Sequence, residues 1–197
     1  MRCLVVTTHP LESSLCQALA AHVVRTLEAA GHTVQREDLY GSGFDPRLSA
    51  SERAGYYTDY PTDAVVAQMA RLQAAEAIVL VFPTWWFGFP AMLKGWFDRV
   101  WAPGSAYDHA DDYGPIRPRL AGLRRMLAVT TLGSPWWVDR LLMRQPLRRV
   151  LKTALVGTCA PQCRFRMLSL YRSERMEPAR LASFTRRVER ALLRWPR

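Results

Sequence analysis

The sequence predicts an α/β protein in which helices cover both faces of a parallel β-sheet. Apolar, β-branched runs of strand length alternate with segments of helical periodicity along the 197-residue chain. The run at residues 77–82 is apolar at every position, as expected of a strand that is buried on both faces. The first strand is followed by a short polar loop and a helix. A doubly wound sheet of five parallel strands satisfies all three observations.

The N-terminal part of the chain predicts a strand, a turn and a helix. Residues 2–8 have the apolar character of a central strand. Ser13 and Ser14 are candidates for the N-cap of a helix that Gly31 closes. The start of such a helix exposes backbone N–H groups and the positive end of the helix dipole, which favours phosphate binding. The motif Gly-x-Gly-x-x-Gly is absent from this turn, which disfavours the dinucleotide-binding fold that depends on it.

Three further strands and a helix complete the predicted sheet unit. Residues 33–37 predict the second strand, and residues 63–75 predict the helix that leads back to the central strand. The chain between them is polar and rich in Tyr without clear periodicity, which is typical of a functional or mobile connection. The fourth and fifth strands are predicted at residues 126–131 and 162–170.

A cluster of aromatic residues follows the third strand. The strand ends at Pro83, the loop contains Trp85, Trp86 and Phe87, and a helix begins near Pro90. Open α/β sheets bind ligands in loops at the carboxyl ends of their strands, and three large π faces favour a flat aromatic ligand. The alternative is that these rings only pack a corner of the core, because Trp and Phe are usually buried.

A basic amphipathic segment occupies residues 136–156. Large apolar side chains, beginning with Trp136 and Trp137, are interleaved there with five Arg or Lys residues, and Pro146 interrupts the pattern. One interpretation is an ordinary fourth helix that packs on the sheet with its Arg face in water. The other is an interfacial segment that rests on anionic lipid. Residues 178–195 predict a terminal helix that covers the sheet edge.

Charge is unevenly distributed along the chain, whose net charge is +10. Residues 1–115 contain 8 Lys or Arg and 13 Asp or Glu, whereas residues 116–197 contain 19 and 4. Nearly all the basic residues are Arg, which suits a phosphate-bearing nicotinamide cofactor, nucleic acid or an anionic membrane surface. The alternative is that the excess reflects genome composition and that the two parts face each other.

Cysteine usage and hydropathy predict a cytoplasmic protein without a metal site. Four irregularly spaced Cys residues do not describe a disulfide framework. The sequence contains no apolar run of transmembrane length and no N-terminal targeting segment. Cys159 and Cys163 have no second pair and no nearby His, which argues against a metal ion. The acidic pair Asp111 and Asp112 is expected to be solvated loop charge.

The run FPTWWFGFPAMLKGWFDRVW at residues 82–101 resembles the signature of the flavodoxin-like NAD(P)H:quinone oxidoreductases, the diaphorase family. Residues 7–19 and the pair Thr130 and Thr131 match that family in type and order, so the likeness covers about two thirds of the chain. The resemblance implies one flavodoxin-like domain over residues 1–197, with helices on both faces of a sheet of strand order 2-1-3-4-5.

The resemblance also assigns a site. The residues expected against the flavin isoalloxazine are Pro83, Thr84, Trp85, Trp86 and Phe87. Those expected around the flavin phosphates are His9, Ser14, Leu15, Cys16 and Ala18. Those expected at the flavin pyrimidine edge are Thr130, Thr131 and Gly133. Tyr107 and His109 match a loop that reaches the substrate pocket of the neighbouring subunit, so they are expected to form the opposite wall in a homodimer.

Two departures from the family affect this assignment. Leu132 replaces a Gly in the loop after the fourth strand, and it would resist a backbone with positive φ. A Tyr and a His that stabilise the charge of the reduced flavin in the family are absent from residues 134–156. Arg140 is our candidate for that role.

We therefore expect a flavin-dependent NAD(P)H oxidoreductase that reduces quinones or similar acceptors by two-electron, ping-pong hydride transfer. FAD is preferred over FMN on the resemblance to the diaphorases alone. One alternative is a regulatory subunit of a membrane transporter with little turnover, and another is a basic nucleic-acid-binding module. The expected location is the cytoplasm or the inner face of the membrane, with no nucleic-acid partner in the preferred interpretation.

Overall fold

Five parallel strands form the central sheet of the computed structural model, which describes residues 1–110 and 114–196. These strands are β1 (Arg2–Thr7), β2 (Thr33–Asp38), β3 (Ala77–Pro83), β6 (Arg125–Thr131) and β7 (Arg164–Leu170). A short antiparallel hairpin stands apart from the sheet and consists of β4 (Tyr107–Asp108) and β5 (Arg117–Pro118). The sheet order is β2-β1-β3-β6-β7, which is 2-1-3-4-5 when only its own strands are counted. The predicted strand order is therefore confirmed.

Helices cover both faces of the sheet. The α-helices are α1 (Leu15–Ala29), α2 (Ala50–Ala54), α3 (Val66–Ala74), α4 (Ala91–Val100), α5 (Pro146–Arg149), α6 (Gly157–Cys159) and α7 (Pro178–Leu192). Alternate residues of each strand point to opposite faces. One buried cluster joins the sheet to α1 and α7, and the other joins it to α3, α4 and residues 147–160. This arrangement gives the two apolar layers of a doubly wound α/β fold.

The local signals in the N-terminal part of the sequence match the observed elements. The Ser14 hydroxyl accepts a hydrogen bond from the Gln17 N–H and caps α1. Gly31 lies just beyond the end of α1 and has φ +83°. Its N–H donates to the carbonyl of Glu28, in the last turn of the helix. Left-handed backbone of this kind is favourable for Gly because it has no Cβ. Both predicted ends of this helix are confirmed.

Residues 136–156 pack on the sheet through buried apolar side chains, as one of the two interpretations expects, but they do not form one regular helix. Leu147, Leu151 and Val156 are buried against the sheet, as expected of a fourth helix. The backbone is not a regular α-helix, because π-helical turns span Val138–Leu142 and Val150–Val156.

The hairpin of β4 and β5 was not predicted, since two-residue strands are too short to show periodicity.

A buried ion pair fastens the long connection after β2 to α4. The Arg99 guanidinium lies 2.7 Å from a Glu52 carboxylate oxygen, and both side chains are almost fully buried. Arg99 also donates to the Asp45 carbonyl at 2.6 Å. Removing one partner of such a pair leaves an uncompensated buried charge, which is strongly destabilising. The connection is therefore held by α4, the helix that follows the aromatic turn.

The connection also approaches α4 closely at Gly95, where a Cβ atom would overlap the backbone of Pro46. We expect Gly95→Ala to lower the free energy of unfolding by about 2 kcal/mol, because overpacking outweighs the helix propensity that Ala gains. Urea denaturation measures this change. Gly122→Ala is the control, since its added methyl group meets open space and should change stability by less than about 0.5 kcal/mol. Equal stability of both variants would contradict the close approach.

Candidate functional site

A cleft of about 790 Å³ lies at the carboxyl ends of the central strands. It is lined by His9, Leu15, Cys16, Pro83, Thr84, Trp85, Trp86, Thr131, Gly133, Ser134, Ser173 and Glu174. Its volume falls in the range of small-molecule and cofactor sites. Three loops that are distant in sequence, after β1, β3 and β6, meet there because parallel strands end at the same edge of a sheet.

The N-terminus of α1 forms one end of the cleft. The Ser14 hydroxyl accepts from the Gln17 N–H at 3.3 Å, and the Ala18 N–H begins the helical ladder on the Ser14 carbonyl. In the described part of the chain, the N–H groups of Leu15 and Cys16 have no hydrogen-bond partner. The first turn contains no acidic residue. This end of the cleft is therefore suited to an anion.

His9 lies between the helix terminus and the aromatic turn. Its Nδ1 accepts a hydrogen bond from the Leu11 N–H at 3.1 Å, so the neutral imidazole carries its proton on Nε2. The ring centroid is 6.3 Å from that of Trp85. The hydrogen bond to Leu11 fixes the ring, and Nε2–H remains available to donate to a ligand in the cleft.

The aromatic turn is strained. The Gly88 N–H donates to the Trp85 carbonyl at 2.9 Å, which closes a tight turn around Trp86 and Phe87. Both central residues are left-handed, with φ values of 50° and 57°, where Asn and Gly are usual and large side chains are rare. Each such residue costs about 1–2 kcal/mol. The Trp86 side chain is 99% exposed and lines the cleft, so the strained turn holds a large ring in solvent at the mouth of the cleft.

The floor of the cleft is held by contacts between strand ends. The Thr84 N–H donates to the Thr131 carbonyl at 2.8 Å, and the Thr84 and Thr130 hydroxyls lie 2.6 Å apart. The Cys16 thiol lies 3.7 Å from the Thr131 hydroxyl. Burial raises the pKa of the Cys16 thiol to about 11, so it stays protonated at neutral pH and acts as a packing group.

The loop after β6 differs from the family expectation. Leu132 is buried, its backbone is not left-handed, and its N–H donates to the Leu170 carbonyl at 2.9 Å. Leu is therefore accommodated without strain, but its N–H serves the sheet and not a ligand. Gly133 is the exposed residue that lines the cleft at this end.

Ser134, Ser173 and Glu174 also line the cleft, and the sequence interpretation missed them. The Ser173 N–H donates to the Leu132 carbonyl at 2.9 Å, which draws the loop after β7 to the loop after β6. The sequence could have indicated these residues, because they follow the predicted fifth strand and parallel strands all end at the edge of the sheet where ligands bind.

The structure brings nine of the thirteen predicted cofactor residues into this cleft. The other four lie next to it: Ser14 caps α1, Ala18 is exposed on the same helix, Phe87 completes the aromatic turn, and Thr130 is buried beneath Thr84. The cluster of aromatic residues after β3 is thus partly exposed and is not simply core packing.

Tyr107 and His109 lie outside the lining of this cleft. Tyr107 is buried and shares a hydrogen bond between hydroxyl groups with Tyr56. Burial raises the pKa of Tyr107, so its hydroxyl remains protonated. The His109 ring lies 4.7 Å from that of Tyr57 and 5.4 Å from that of Tyr107, measured between centroids. Their expected contribution to a neighbouring subunit stays a prediction.

Arg140 is exposed and also lies outside the cleft lining. It lies beside the hydroxyl of Tyr171, whose pKa is raised by burial and lowered to a smaller extent by Arg140. The same hydroxyl donates to the buried Asp139 carboxylate at 2.8 Å. The role of Arg140 in stabilising a reduced flavin stays a prediction.

The described residues offer neither a cluster of metal ligands nor a membrane-spanning helix. Among residues 1–110 and 114–196, no group of three or more His, Cys, Asp or Glu side chains is placed to hold a metal ion. Asp111 and Asp112 lie outside these described residues. None of the described helices is long and apolar enough to cross a membrane.

Known proteins resemble this chain in sequence and in fold. A family model described as flavodoxin-like fold matches residues 1–194. NAD(P)H dehydrogenase [quinone] 1 of Rattus norvegicus is 34% identical over 152 residues, which cover 68% of this chain and 54% of that protein. The chain therefore spans about half the length of this relative.

Solved structures share the fold across nearly the whole chain. An NAD(P)H:quinone oxidoreductase from Methanothermobacter marburgensis has a TM-score of 0.84 at 23% identity and covers 98% of this chain and 96% of its own. An FMN-dependent NADH-azoreductase from Bacillus anthracis, solved with FMN, has a TM-score of 0.77 at 18% identity and covers 98% and 99%. These likenesses show the fold alone. The family model and the curated relative establish that the chain belongs to the family of flavodoxin-like fold proteins that includes the NAD(P)H:quinone oxidoreductases.

Proposed function

We propose that the protein is a flavin-dependent NAD(P)H oxidoreductase that reduces quinones or similar acceptors by two electrons. The observation that carries this proposal is a single cleft that joins an anion site at a helix N-terminus to an exposed aromatic turn. A flavin has both a phosphate and a flat aromatic ring system, and it requires this combination. The relatives are named as oxidoreductases, which favours an enzyme over a regulatory subunit or a nucleic-acid-binding module.

The residues of the cleft fit the two ends of a flavin. The N–H groups of Leu15 and Cys16 and the Nε2–H of His9 would hold the phosphate. Pro83 to Trp86 would contact the ring system, and Gly133, which has no side chain, leaves room beside them. The cradle is narrow at Gly133, because an added Cβ would lie 2.8 Å from a Glu174 carboxylate oxygen.

When bound, the flavin would accept a hydride from NAD(P)H and return two electrons to the acceptor. We propose that donor and acceptor use the same open mouth of the cleft in turn, which is a ping-pong scheme. Trp85 and Trp86 are exposed at this mouth and would stack against each in turn. The protein would thus supply orientation and shelter from water, while Cys16 stays a protonated packing group.

Two kinds of similarity bear on which flavin to test first. The preference for FAD came from the resemblance to the diaphorases, whereas the Bacillus anthracis azoreductase with this fold is named for FMN and contains it. FMN is therefore the first flavin to test. Both flavins present the isoalloxazine ring and the phosphate that the cleft is suited to hold.

A homodimer remains part of the proposal. Tyr107 and His109 lie away from the cleft of their own chain, so they would contribute to catalysis from a second subunit. Arg140 is retained as the proposed stabiliser of the reduced flavin. Contact with the inner face of a membrane also stays a prediction.

The first test is the visible absorption spectrum of the purified protein after incubation with FMN or FAD and desalting. We expect one flavin to be retained after desalting. Its visible absorption should bleach when NADH or NADPH is added without oxygen, because hydride transfer from the nicotinamide reduces the bound flavin. Loss of both flavins on desalting would contradict the proposed cofactor. Retention without bleaching by either nicotinamide would contradict the oxidoreductase and leave a flavin-binding protein.

The aromatic turn provides a second test. We expect the double variant Trp86→Asn/Phe87→Gly to raise the free energy of unfolding by about 2 kcal/mol, because Asn and Gly accept left-handed backbone. The same variant should bind flavin at least about tenfold more weakly, since it removes one aromatic wall. Urea denaturation and flavin fluorescence titration measure the two changes.

Arg144 and Gln145 provide the control for this test, because they are also consecutive left-handed residues and lie outside the cleft lining. Arg144→Asn/Gln145→Gly should raise stability by a similar amount and leave flavin affinity unchanged. If the aromatic variant is stabilised but binds flavin normally, the turn is not part of the flavin site.

The narrow end of the cleft provides a third test. We expect Gly133→Ala to weaken flavin binding by about tenfold, because its methyl group and the Glu174 carboxylate compete for the same space. Folding stability should change by less than about 0.5 kcal/mol, since Glu174 is an exposed, flexible side chain. The double variant Gly133→Ala/Glu174→Ala should recover most of the affinity. Unchanged binding in Gly133→Ala would place the flavin elsewhere.

A further inference from the structure

Large apolar side chains are exposed on the chain that leads away from the cleft. We name residues 135–150 the Trp–Arg segment. Its exposed apolar residues are Trp136, Trp137, Leu141, Leu142, Met143 and Val150. Leu141 and Leu142 are 67% and 69% exposed, and each Trp is about half exposed. Single exposed apolar residues are normal on a protein surface, but six within fifteen consecutive positions indicate an interaction surface.

The fold holds this segment in a defined shape. The Met143 N–H donates to the Val138 carbonyl and the Gln145 N–H to the Asp139 carbonyl, both at 2.8 Å. The buried Asp139 carboxylate accepts the hydrogen bond of Tyr171, which ties the segment to the end of β7. Leu147 is buried in the core at the other end of the segment. The apolar residues are therefore displayed by an anchored turn and are not a frayed end of a helix.

Within the Trp–Arg segment, every exposed charged side chain is positive. Arg140, Arg144, Arg148 and Arg149 are all exposed within the segment. Asp139 is its only acidic residue, and that carboxylate is buried and hydrogen-bonded. The wider stretch of residues 134–173 contains eight Arg or Lys and one Asp. A partner of this surface must therefore offer both an apolar phase and negative charge.

We infer that the Trp–Arg segment docks on the surface of an anionic lipid bilayer, with its Leu and Trp side chains at the level of the headgroups and acyl chains. Exposed Trp and Leu beside Arg are the residue types of interfacial segments. A second copy packed segment against segment would bring four Arg of each copy together without an acid to pair them. Nucleic acid would satisfy the Arg residues but would leave Leu141, Leu142 and Met143 without an apolar partner.

Docking at this segment would place the proposed active site at the membrane. Ser134 lines the cleft and immediately precedes the segment. This step rests on the proposed function: an oxidoreductase so placed would reduce a quinone that is dissolved in the bilayer. The binding of lipid itself does not depend on that function, so the two are tested separately.

The binding test uses the full chain and vesicles of phosphatidylcholine with or without phosphatidylglycerol. We expect cosedimentation with the anionic vesicles at low salt and a blue shift of Trp fluorescence as the indole rings leave water. Binding should weaken at about 1 M salt, where the screening length falls to about 3 Å. Failure to bind anionic vesicles at low salt would overturn the proposal, and so would equal binding to vesicles of phosphatidylcholine alone.

Two pairs of variants test whether this segment is the docking surface. Arg148→Gln/Arg149→Gln should lower partitioning onto anionic vesicles about thirtyfold. Its control is Arg186→Gln/Arg187→Gln, which removes the same charge from exposed positions of α7, a helix on the other face of the sheet. Leu141→Ser/Leu142→Ser should lower partitioning at least about tenfold, whereas Leu193→Ser, at a Leu after α7 that is 55% exposed, should not. Equal losses in the variants and their controls would show that only net charge or general hydrophobicity matters.

The size of the protein in solution and its activity distinguish the remaining outcomes. If the Leu variant changes an oligomer into a monomer, the segment is an interface between copies and the lipid proposal fails. If single-stranded DNA competes with anionic vesicles and binds more tightly, the partner is nucleic acid and the proposal also fails. With lipid binding intact, we expect Arg148→Gln/Arg149→Gln to reduce a vesicle-dissolved quinone more slowly but a water-soluble quinone at the normal rate. Inactivity of the unmodified protein toward both quinones would overturn the proposed function while leaving the measured lipid binding in place.

Discussion

The pairing of β3 with β1 on one side and β6 on the other is the constraint on which the candidate site depends. All seven residues of β3 are buried, and the ladders place Thr7 beside Val81 and Pro83 beside Thr131. Hydrogen bonds from Thr8 to Val81 and from Thr84 to Thr131 continue the pairing beyond the strands. Three loops therefore leave the sheet at one edge and in fixed register, and the cleft is the space between them.

The aromatic turn after β3 lowers the stability of the fold, because its left-handed backbone is strained, but it holds large aromatic side chains beside the cleft. Regular hairpin turns with two left-handed residues use Asn and Gly, whereas this turn uses Trp86 and Phe87. The backbone strain is compensated by the buried elements on either side, β3 before the turn and α4 after it. The Arg99–Glu52 ion pair fixes α4 in turn. Strained residues held in this way are typical of functional sites, since folding alone would not favour them.

The sequence predicted the parts of the fold that short-range physics determines. Strand β3 was visible as an unbroken apolar run, and the ends of α1 were visible through Ser14 and Gly31, because caps have specific residue preferences. Ser173 and Glu174 carry no local signal of this kind, and only their position after the fifth strand, which pairs with β6, indicates that they reach the cleft. The π-helical turns were also hidden, because their periodicity resembles that of an ordinary amphipathic helix.

The lining of the cleft contains both a helix N-terminus, which attracts anions, and a carboxylate, which repels them. The N-terminus of α1 presents free N–H groups and no acidic residue in its first turn, so it attracts an anion. Glu174 also lines the cleft, beside Gly133, and its carboxylate repels an anion and accepts hydrogen bonds from N–H donors. A flavin has its phosphate at one end and the ring N–H at the other. In the proposed function, the phosphate would therefore lie at the N-terminus of α1 and the ring system against the aromatic turn.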